Sequence, residues 1–508
     1  MRHYTFPTIL AAGLAVGGFS AAYGQTTVTY IVNERADLIG DPPRNVVFAE
    51  QYISKAMFEP LVFDFEGRTG ESGIRPALAT SWEIIDDNTW HFFLREGVTF
   101  HNGEPFNAEA VKFSIERHLD PDFPSTDKFR DVPITAVNVI DDYTVEFVTE
   151  TPVPILPERL SRNGAFILAP GHYADLPLDE AGTSPVGTGP YMLEEFRRDD
   201  RVIMTRNDDW WGWDENSNID RLVIRMIPEM STAFSEVMAG NADIVRITPD
   251  LADVVVADPN VDLIVAPTLV RAVTIFNLDM YPELQDPRVR VALNLAVDRE
   301  AMIDAFAFGQ QELVSTTLIN PPNEHPDLEP YPYDPERARE LLAEAGFPDG
   351  FTIDTIDVMI PDAFEFSEAV AQFWGMVGVE VGEVRRLESS VMRERWAART
   401  LSVASYAWSA AENTPETDAW AVHDDRQTNS THWVREDFLE AYREITQTVD
   451  PGQRDVLNRQ MQEILYEDPP WVYLYRIPAA YAVSSRIEGY NPHPSLLVED
   501  WGALYVSE

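Results

Sequence analysis

Cysteine is absent from all 508 residues. That absence excludes disulfides, thiolate nucleophiles and thiolate metal sites, and with them a lipid anchor carried on an amino-terminal cysteine. Lysine is almost missing as well, occurring only at Lys55, Lys112 and Lys128, so nearly every cation is an arginine. Positive charge as a whole is scarce: 38 basic residues stand against 85 acidic ones, for a formal net charge of −47. Nucleic acid and anionic lipid surfaces would repel such a chain, which excludes both as partners. Two readings of the acidity stay open, a surface adapted to a salty medium, where charge is screened within about 8 Å, and a field that steers a cationic solute. Its even spread along the chain favours the first.

Long apolar runs are also lacking. Ile9 to Phe19 is the most apolar stretch, follows the basic start Arg2-His3, and is too short to span a bilayer. Ala22-Tyr23-Gly24 then offers small residues at the two positions that a signal peptidase inspects, which predicts an exported chain cleaved after Gly24 (signal peptide 1–24). A buried first helix is the competing reading, and Gly13, Gly17 and Gly18 weaken it. The remainder is expected to be released as a protein that is not inserted in the membrane, and at 45 % hydrophobic residues it has material for roughly three domains.

Catalytic signatures are missing too. The nine histidines are scattered, with no His-Glu-x-x-His and no His-x-His pair, so no metal site is expected. Ser184 to Pro190 is rich in glycine, but no lysine follows to hold a phosphate, and the segment reads as a rigid turn. There is no Gly-x-Ser-x-Gly elbow. Carboxylates are so numerous that no catalytic pair stands out. The expectation is a protein with no catalytic residues and no cofactor.

What is present is an interleaving of strand and helix signals, which predicts α/β architecture. Trp90, Phe92 and Leu94 alternate with more polar positions, Gly97 and Gly103 permit turns, and Asn107 suits the cap of a helix through Val111, Ser114, Ile115 and His118. Asp286-Pro287 and Asp334-Pro335 pair a capping carboxylate with a proline that has no amide to leave unbonded, each ahead of a one-faced amphipathic pattern. Gly346 marks the end of the second of these helices, Thr352 to Ile360 reads as a strand, and helices are predicted around Asp437–Thr448 and Gly452–Glu467. Trp210, Trp211 and Trp213 are expected to be core or inter-lobe packing, whereas Tyr406 and Trp408, just before a polar loop, are candidates for ligand contact.

The order of motifs resembles the peptide, nickel and opine class of periplasmic binding proteins, solute-binding family 5. The most diagnostic block runs from Pro76-Ala77-Leu78-Ala79-Thr80-Ser81-Trp82-Glu83 through Thr89-Trp90-His91-Phe92 to His101-Asn102-Gly103-Glu104-Pro105-Phe106. Pro185 to Tyr191, Arg225 to Glu229, Asp286 to Ile303, Tyr333 to Phe351 and Asp468-Pro469-Pro470-Trp471 follow in the same order. The resemblance implies a two-lobed periplasmic-binding-protein fold of the class with an extra inserted domain, with mixed sheets and a double hinge near residues 262–272 and 474–482. It implies a core domain of lobe I from 25–45, 185–266 and 479–508, an inserted domain at 46–184, and lobe II at 267–478. The function implied is that of a monomeric periplasmic carrier that closes on a small-molecule solute and delivers it to the permease subunits of an ABC importer. The solute is expected to be peptide-like or another polar organic molecule, with an oligosaccharide or a metal chelate as alternatives. A sensory or chaperone-like binder and, last, a hydrolase are the readings from other classes.

The resemblance also nominates cleft residues. In peptide-binding relatives a Trp-x-x-Asp segment supplies an aromatic wall and an aspartate for the peptide ammonium. Here it reads Trp408-Ser409-Ala410-Ala411-Glu412, so Ala411 stands where the aspartate is expected, and Glu412 is one residue out of phase on an extended segment. Tyr406 and Ser409 flank Trp408. Glu34 and Arg35 occupy the loop after the first strand, Arg162 lies near the place where a nickel-binding relative uses an arginine, and Tyr475 and Arg476 follow Trp471 near the second hinge.

Overall fold

The computed structural model describes residues 25–508 except residues 46, 67–71, 127, 307–312, 317, 319–323, 359–360, 409–413, 423–430, 493–500 and 508. The expected signal peptide and the candidates Ser409, Ala411 and Glu412 lie outside the described residues.

The first large sheet has seven strands. In spatial order these are Val261–Ala266, Ala479–Ser484, Ile244–Ile247, Thr27–Val32, Arg221–Met226, Arg201–Arg206 and Tyr191–Arg197. Thr27–Val32 runs parallel to both of its neighbours, while the outer pairs are antiparallel, so the sheet is mixed. Alternation along the strands sends side chains to two different cores. Val28, Tyr30, Ile244, Tyr481 and Val483 pack on one face, and Ile31, Val245, Ala480 and Ala482 meet Ala233, Phe234 and Val237 of the helix Met230–Met238 on the other. Both faces are covered, which is why these strands read as continuous apolar runs.

The long stretch between Thr27–Val32 and Tyr191–Arg197 builds its own antiparallel sheet, in spatial order Ala79–Asp86, Thr89–Leu94, Thr144–Thr149 and Ile134–Asp141. Helix Ala108–Leu119 covers it, and Asn107 caps that helix by accepting a hydrogen bond from the Ala110 amide at 3.1 Å. Its buried face is Ala108, Ala110, Val111, Ser114, Ile115 and His118. These apolar side chains join the same core as Val28 and Tyr30, so the insertion is packed onto the seven-stranded sheet.

The second large sheet has five strands, in the order Val379–Arg386, Phe351–Val358, Val403–Trp408, Arg271–Ile275 and Trp471–Arg476. The first three are parallel and the others antiparallel. The helices announced by Asp286-Pro287 and Asp334-Pro335 are Pro287–Leu295 and Pro335–Glu344, with Asp286 accepting from the Arg288 amide at 2.9 Å and Asp334 from the Arg337 amide at 2.9 Å. Each such cap contributes about 1 kcal/mol. Gly346, at φ +99°, ends the second helix: its amide bonds Ala343 and that of Phe347 bonds Leu342, the pattern that satisfies the last carbonyls. The later helices are Glu436–Ile445 and Pro451–Glu467.

The chain crosses between the two large sheets at 267–270 and at 477–478. These crossings are bonded to each other, the Thr268 hydroxyl donating to the Ile477 carbonyl at 2.5 Å and the Ile477 amide to the Val270 carbonyl at 2.8 Å. Both fall inside the ranges expected for the hinge.

Self-repulsion in a chain of net charge −47 opposes compaction and is relieved by counter-ions. Thermal melts in rising sodium chloride are therefore expected to shift upward; a midpoint unchanged from low to molar salt would show that repulsion does not limit stability.

Candidate functional site

A cleft of about 880 Å³ opens between the two large sheets. One wall is set by the parallel strands Thr27–Val32 and Ile244–Ile247, whose carboxyl ends and following residues, through Glu34 and Asp250, line it. Open α/β sheets present ligands at that end of the strands, because the loops leaving it are free to carry polar groups. The opposite wall comes from Phe306, from Glu365 and Phe366 in the helix Pro361–Met376, and from Arg386 at the end of its strand. Tyr475, Ile477, Pro478 and Tyr481 line the side next to the second crossing.

Aromatic rings dominate the first wall and are held from behind. Tyr30 and Tyr52 lie 4.9 Å apart, and Trp501 meets both edge-on at 5.9 and 5.2 Å. Phe48, at the start of helix Phe48–Ser54, also lines the cleft and is 59 % exposed. A phenyl ring left this open inside a concave site is apolar area available to a ligand.

Five charged side chains line the cleft: Glu34, Arg246, Asp250, Glu365 and Arg386. A Glu34 carboxylate oxygen accepts from the Ala49 amide at 3.3 Å, which ties the loop to the start of the Phe48 helix. The Arg386 guanidinium lies over the Phe364 ring at 4.1 Å. Among the described residues no group of three or more His, Asp or Glu is arranged to hold a metal ion.

The residues nominated from the sequence are distributed as follows. Glu34 and Tyr475 line the cleft. Arg476 is buried beside it in a pair with Glu324. Arg35 points to the surface, where it pairs with Asp199 at 3.0 Å. Arg162 precedes the short turn Asn163–Ala165 in the inserted part and does not line the cleft. Trp408 ends the strand Val403–Trp408 and meets Trp471 edge-on at 5.8 Å, its indole N–H buried with no partner among the described residues. Tyr406 packs edge-on against Trp396 at 5.3 Å, and burial pushes its phenol well up. Neither is among the cleft-lining residues.

The tryptophan cluster packs on the core that lies under the seven-stranded sheet and the insertion. Trp210 donates to Glu59 at 3.0 Å, Trp213 donates to the Asn207 carbonyl at 2.8 Å, and Trp211 lies under the Arg95 guanidinium at 3.7 Å. The sequence reading missed Tyr30, Phe48, Tyr52, Arg246, Phe306, Glu365, Arg386 and Tyr481, all of which line the cleft. Arg246 carried a signal: it is an exposed arginine inside the otherwise apolar strand Ile244–Ile247.

Comparison with known proteins places these features. Residues 73–430 match the family described as bacterial extracellular solute-binding proteins, family 5, middle. Heme-binding protein A of Haemophilus influenzae is 28 % identical, over 90 % of this chain and 88 % of its own. The dipeptide-binding protein of Escherichia coli is 28 % identical over 84 % of this chain and 86 % of its own. Among solved structures, an ABC transporter substrate-binding protein from Listeria monocytogenes superposes with a TM-score of 0.84 at 22 % identity, covering 95 % of this chain and 100 % of that one. A periplasmic binding protein from Helicobacter pylori in complex with the peptide STSA gives 0.77 at 22 % identity, covering 95 % and 99 %. These likenesses carry the fold, two α/β lobes with mixed sheets joined by a double crossing. The chain belongs to the family 5 bacterial extracellular solute-binding proteins, and is the non-catalytic, substrate-binding component of an ABC importer.

Proposed function

We propose that this protein works in the periplasm, released without a lipid anchor after cleavage at Gly24, and captures a small, polar, peptide-like solute by closing its two lobes. The closed form then docks as a monomer on the permease subunits. The observation that carries this reading is the cleft itself: residues from both large sheets line one 880 Å³ space, and among the described residues the chain passes between the sheets at two short, mutually bonded crossings. That volume suits a solute of small-molecule or short-peptide size. Lobe I is taken as 25–45, 185–266 and 479–508 with the insertion 46–184, and lobe II as 267–478. A ligand that touches both walls binds the closed form better, and drives closure only to that extent.

Within this reading Glu34 and Tyr475 are the nominated residues nearest the solute. Trp408 packs on Trp471 and is assigned no direct contact with the solute. With Ala411 in place of an aspartate, Glu34 is the acid assigned to a ligand ammonium. Relatives suggest probes, since one binds dipeptides and others bind glutathione. A ligand at about 100 times its dissociation constant should add about 2.7 kcal/mol of stability. Thermal-shift screening of dipeptides, glutathione and amino-acetylated dipeptides, followed by small-angle scattering, tests the proposal. Stabilisation accompanied by a smaller radius of gyration is expected. A tightly bound solute that leaves the radius unchanged would sink the closing mechanism.

A further inference from the structure

Arginine is the scarce resource of this chain, and most described arginines have a carboxylate partner. Arg35, Arg117, Arg225, Arg271, Arg385 and Arg486 are examples from every part of the fold. Arg246 and Arg386 depart from this pattern. Neither makes an ion pair with any described residue, although acidic residues outnumber basic ones 85 to 38 and the cleft itself contains Glu34, Asp250 and Glu365. Both are exposed, both line the same cleft, and they come from opposite walls, Arg246 from the centre of the seven-stranded sheet and Arg386 from the edge of the five-stranded one. Arg386 is further held by stacking on Phe364 at 4.1 Å, which orients the guanidinium plane without using its hydrogen-bond donors.

We infer that Arg246 and Arg386 form a two-sided clamp for a carboxylate of the solute, so that the transported substrates are carboxylate-bearing molecules and the anion is what permits closure. This rests on the carrier reading proposed above and narrows its substrate class. The physical reason is the fate of the two cations as the lobes approach. Closure removes water from both guanidiniums and brings like charges together in a medium of lower dielectric, and either effect alone disfavours the closed state. A carboxylate between them reverses the sign of the interaction and accepts from the planar donor forks of both. A neutral solute of the same shape leaves both cations desolvated and unpaired. Glu34, on the same wall as Arg246, supplies the opposite charge for a zwitterion, and its Ala49 contact keeps it at the rim of that wall. Selectivity for an anion in a protein of net charge −47 thus comes from two local charges that its own carboxylates leave alone.

The test uses the full-length mature protein and matched probes: the dipeptide Met-Leu and its carboxamide, glutathione and its dimethyl ester, and succinate and succinamide, with maltotriose and putrescine as neutral and cationic controls. Binding is read by thermal shift and calorimetry for wild type, Arg246→Gln, Arg386→Gln and the double variant. The variants alter exposed side chains, and unchanged circular dichroism and ligand-free melting confirm that they fold. At least one acid is expected to bind while its amide or ester does not. Each single variant should weaken that binding by about tenfold or more, and the double variant should lose the acid-over-amide preference. Equal binding of acid and amide, or acid binding untouched by either substitution, overturns the clamp. So does stabilisation and compaction by maltotriose or putrescine alone, an outcome that leaves the carrier reading standing. If no probe binds, the clamp is rejected as stated, and the carrier reading is decided separately by mass spectrometry of solutes released from the purified protein.

Discussion

Replacing Glu59 with glutamine is expected to stabilise the protein by about 2–3 kcal/mol above pH 8 and by little near pH 5. Glu59 belongs to the insertion, is 1 % exposed and faces the tryptophan cluster. One carboxylate oxygen accepts from the Trp210 indole at 3.0 Å, and the other is buried without a full hydrogen bond. Burial is the dominant effect and pushes the carboxyl up to about 7, while Thr188, Trp210, Trp211 and the nearby Arg95 offset it only in part. The native state therefore holds a proton that the unfolded chain, titrating near 4.5, has already released. The stability this provides is complete below about 4.5 and is lost as pH rises through about 7. Glutamine cannot titrate, so the variant lacks that loss. His101 works in the opposite direction: burial lowers it to about 4, and its contribution is lost as pH falls from 6.5. For that reason the diagnostic quantity is the difference between variant and wild type in urea melts from pH 5 to 8.5. Parallel curves would show that Glu59 is ionised in the native state throughout.

Much of the scaffold was legible because its signals are local. Asn107, Asp286 and Asp334 each cap the helix that their side chains announce, and Gly346 takes the left-handed conformation that ends one. The strand expected at Thr352–Ile360 runs from Phe351 to Val358, and helix ends differ from expectation by a few residues, as fraying termini do. The tryptophan cluster was expected to be packing, and Trp210, Trp211 and Trp213 are held there by Glu59, Arg95 and Asn207.

The cleft was less legible because it is assembled from distant segments. Arg246 and Arg386 are 140 positions apart by number and meet only because two sheets face each other. Nothing in the residues around Arg386 distinguishes it from Arg385, yet Arg385 pairs with buried Asp357 and Arg386 lines the cleft, since adjacent strand residues point to opposite faces. Glu59 is one acid among 85 in the sequence, and its buried state depends on Thr188, Trp210 and Arg95, three separate segments. Motif matching, by contrast, drew attention to Trp408, whose described contact is with Trp471 rather than with the cleft.

Substituting Asp418 with asparagine is expected to destabilise the protein by about 3–5 kcal/mol, the second large effect. Arg271 is 0 % and Asp418 1 % exposed, and they form a bidentate pair at 2.8 and 3.0 Å. Arg271 is the first residue of its strand, immediately after the crossing 267–270, with Trp408 opposite it on one side and Arg476 on the other. Asp418 lies in the helix Pro415–Val422. The pair therefore ties the start of a five-stranded-sheet strand, just after the crossing, to the helix Pro415–Val422. A guanidinium does not shed its proton, so removing the carboxylate charge leaves a buried cation without its bidentate counter-charge. The double variant Arg271→Met, Asp418→Leu removes both charges and should recover most of the loss, because a well-packed apolar pair of similar volume is nearly neutral in such exchanges. Urea melts of the two single variants and the double variant give the coupling between the residues. Hydrogen exchange adds a local readout: amides of residues 271–275 should lose protection in Asp418→Asn before those of Thr27–Val32 in the seven-stranded sheet. A single variant within about 0.5 kcal/mol of wild type would show that the pair is dispensable, and that the crossing is held by its Thr268 and Val270 bonds to Ile477 alone.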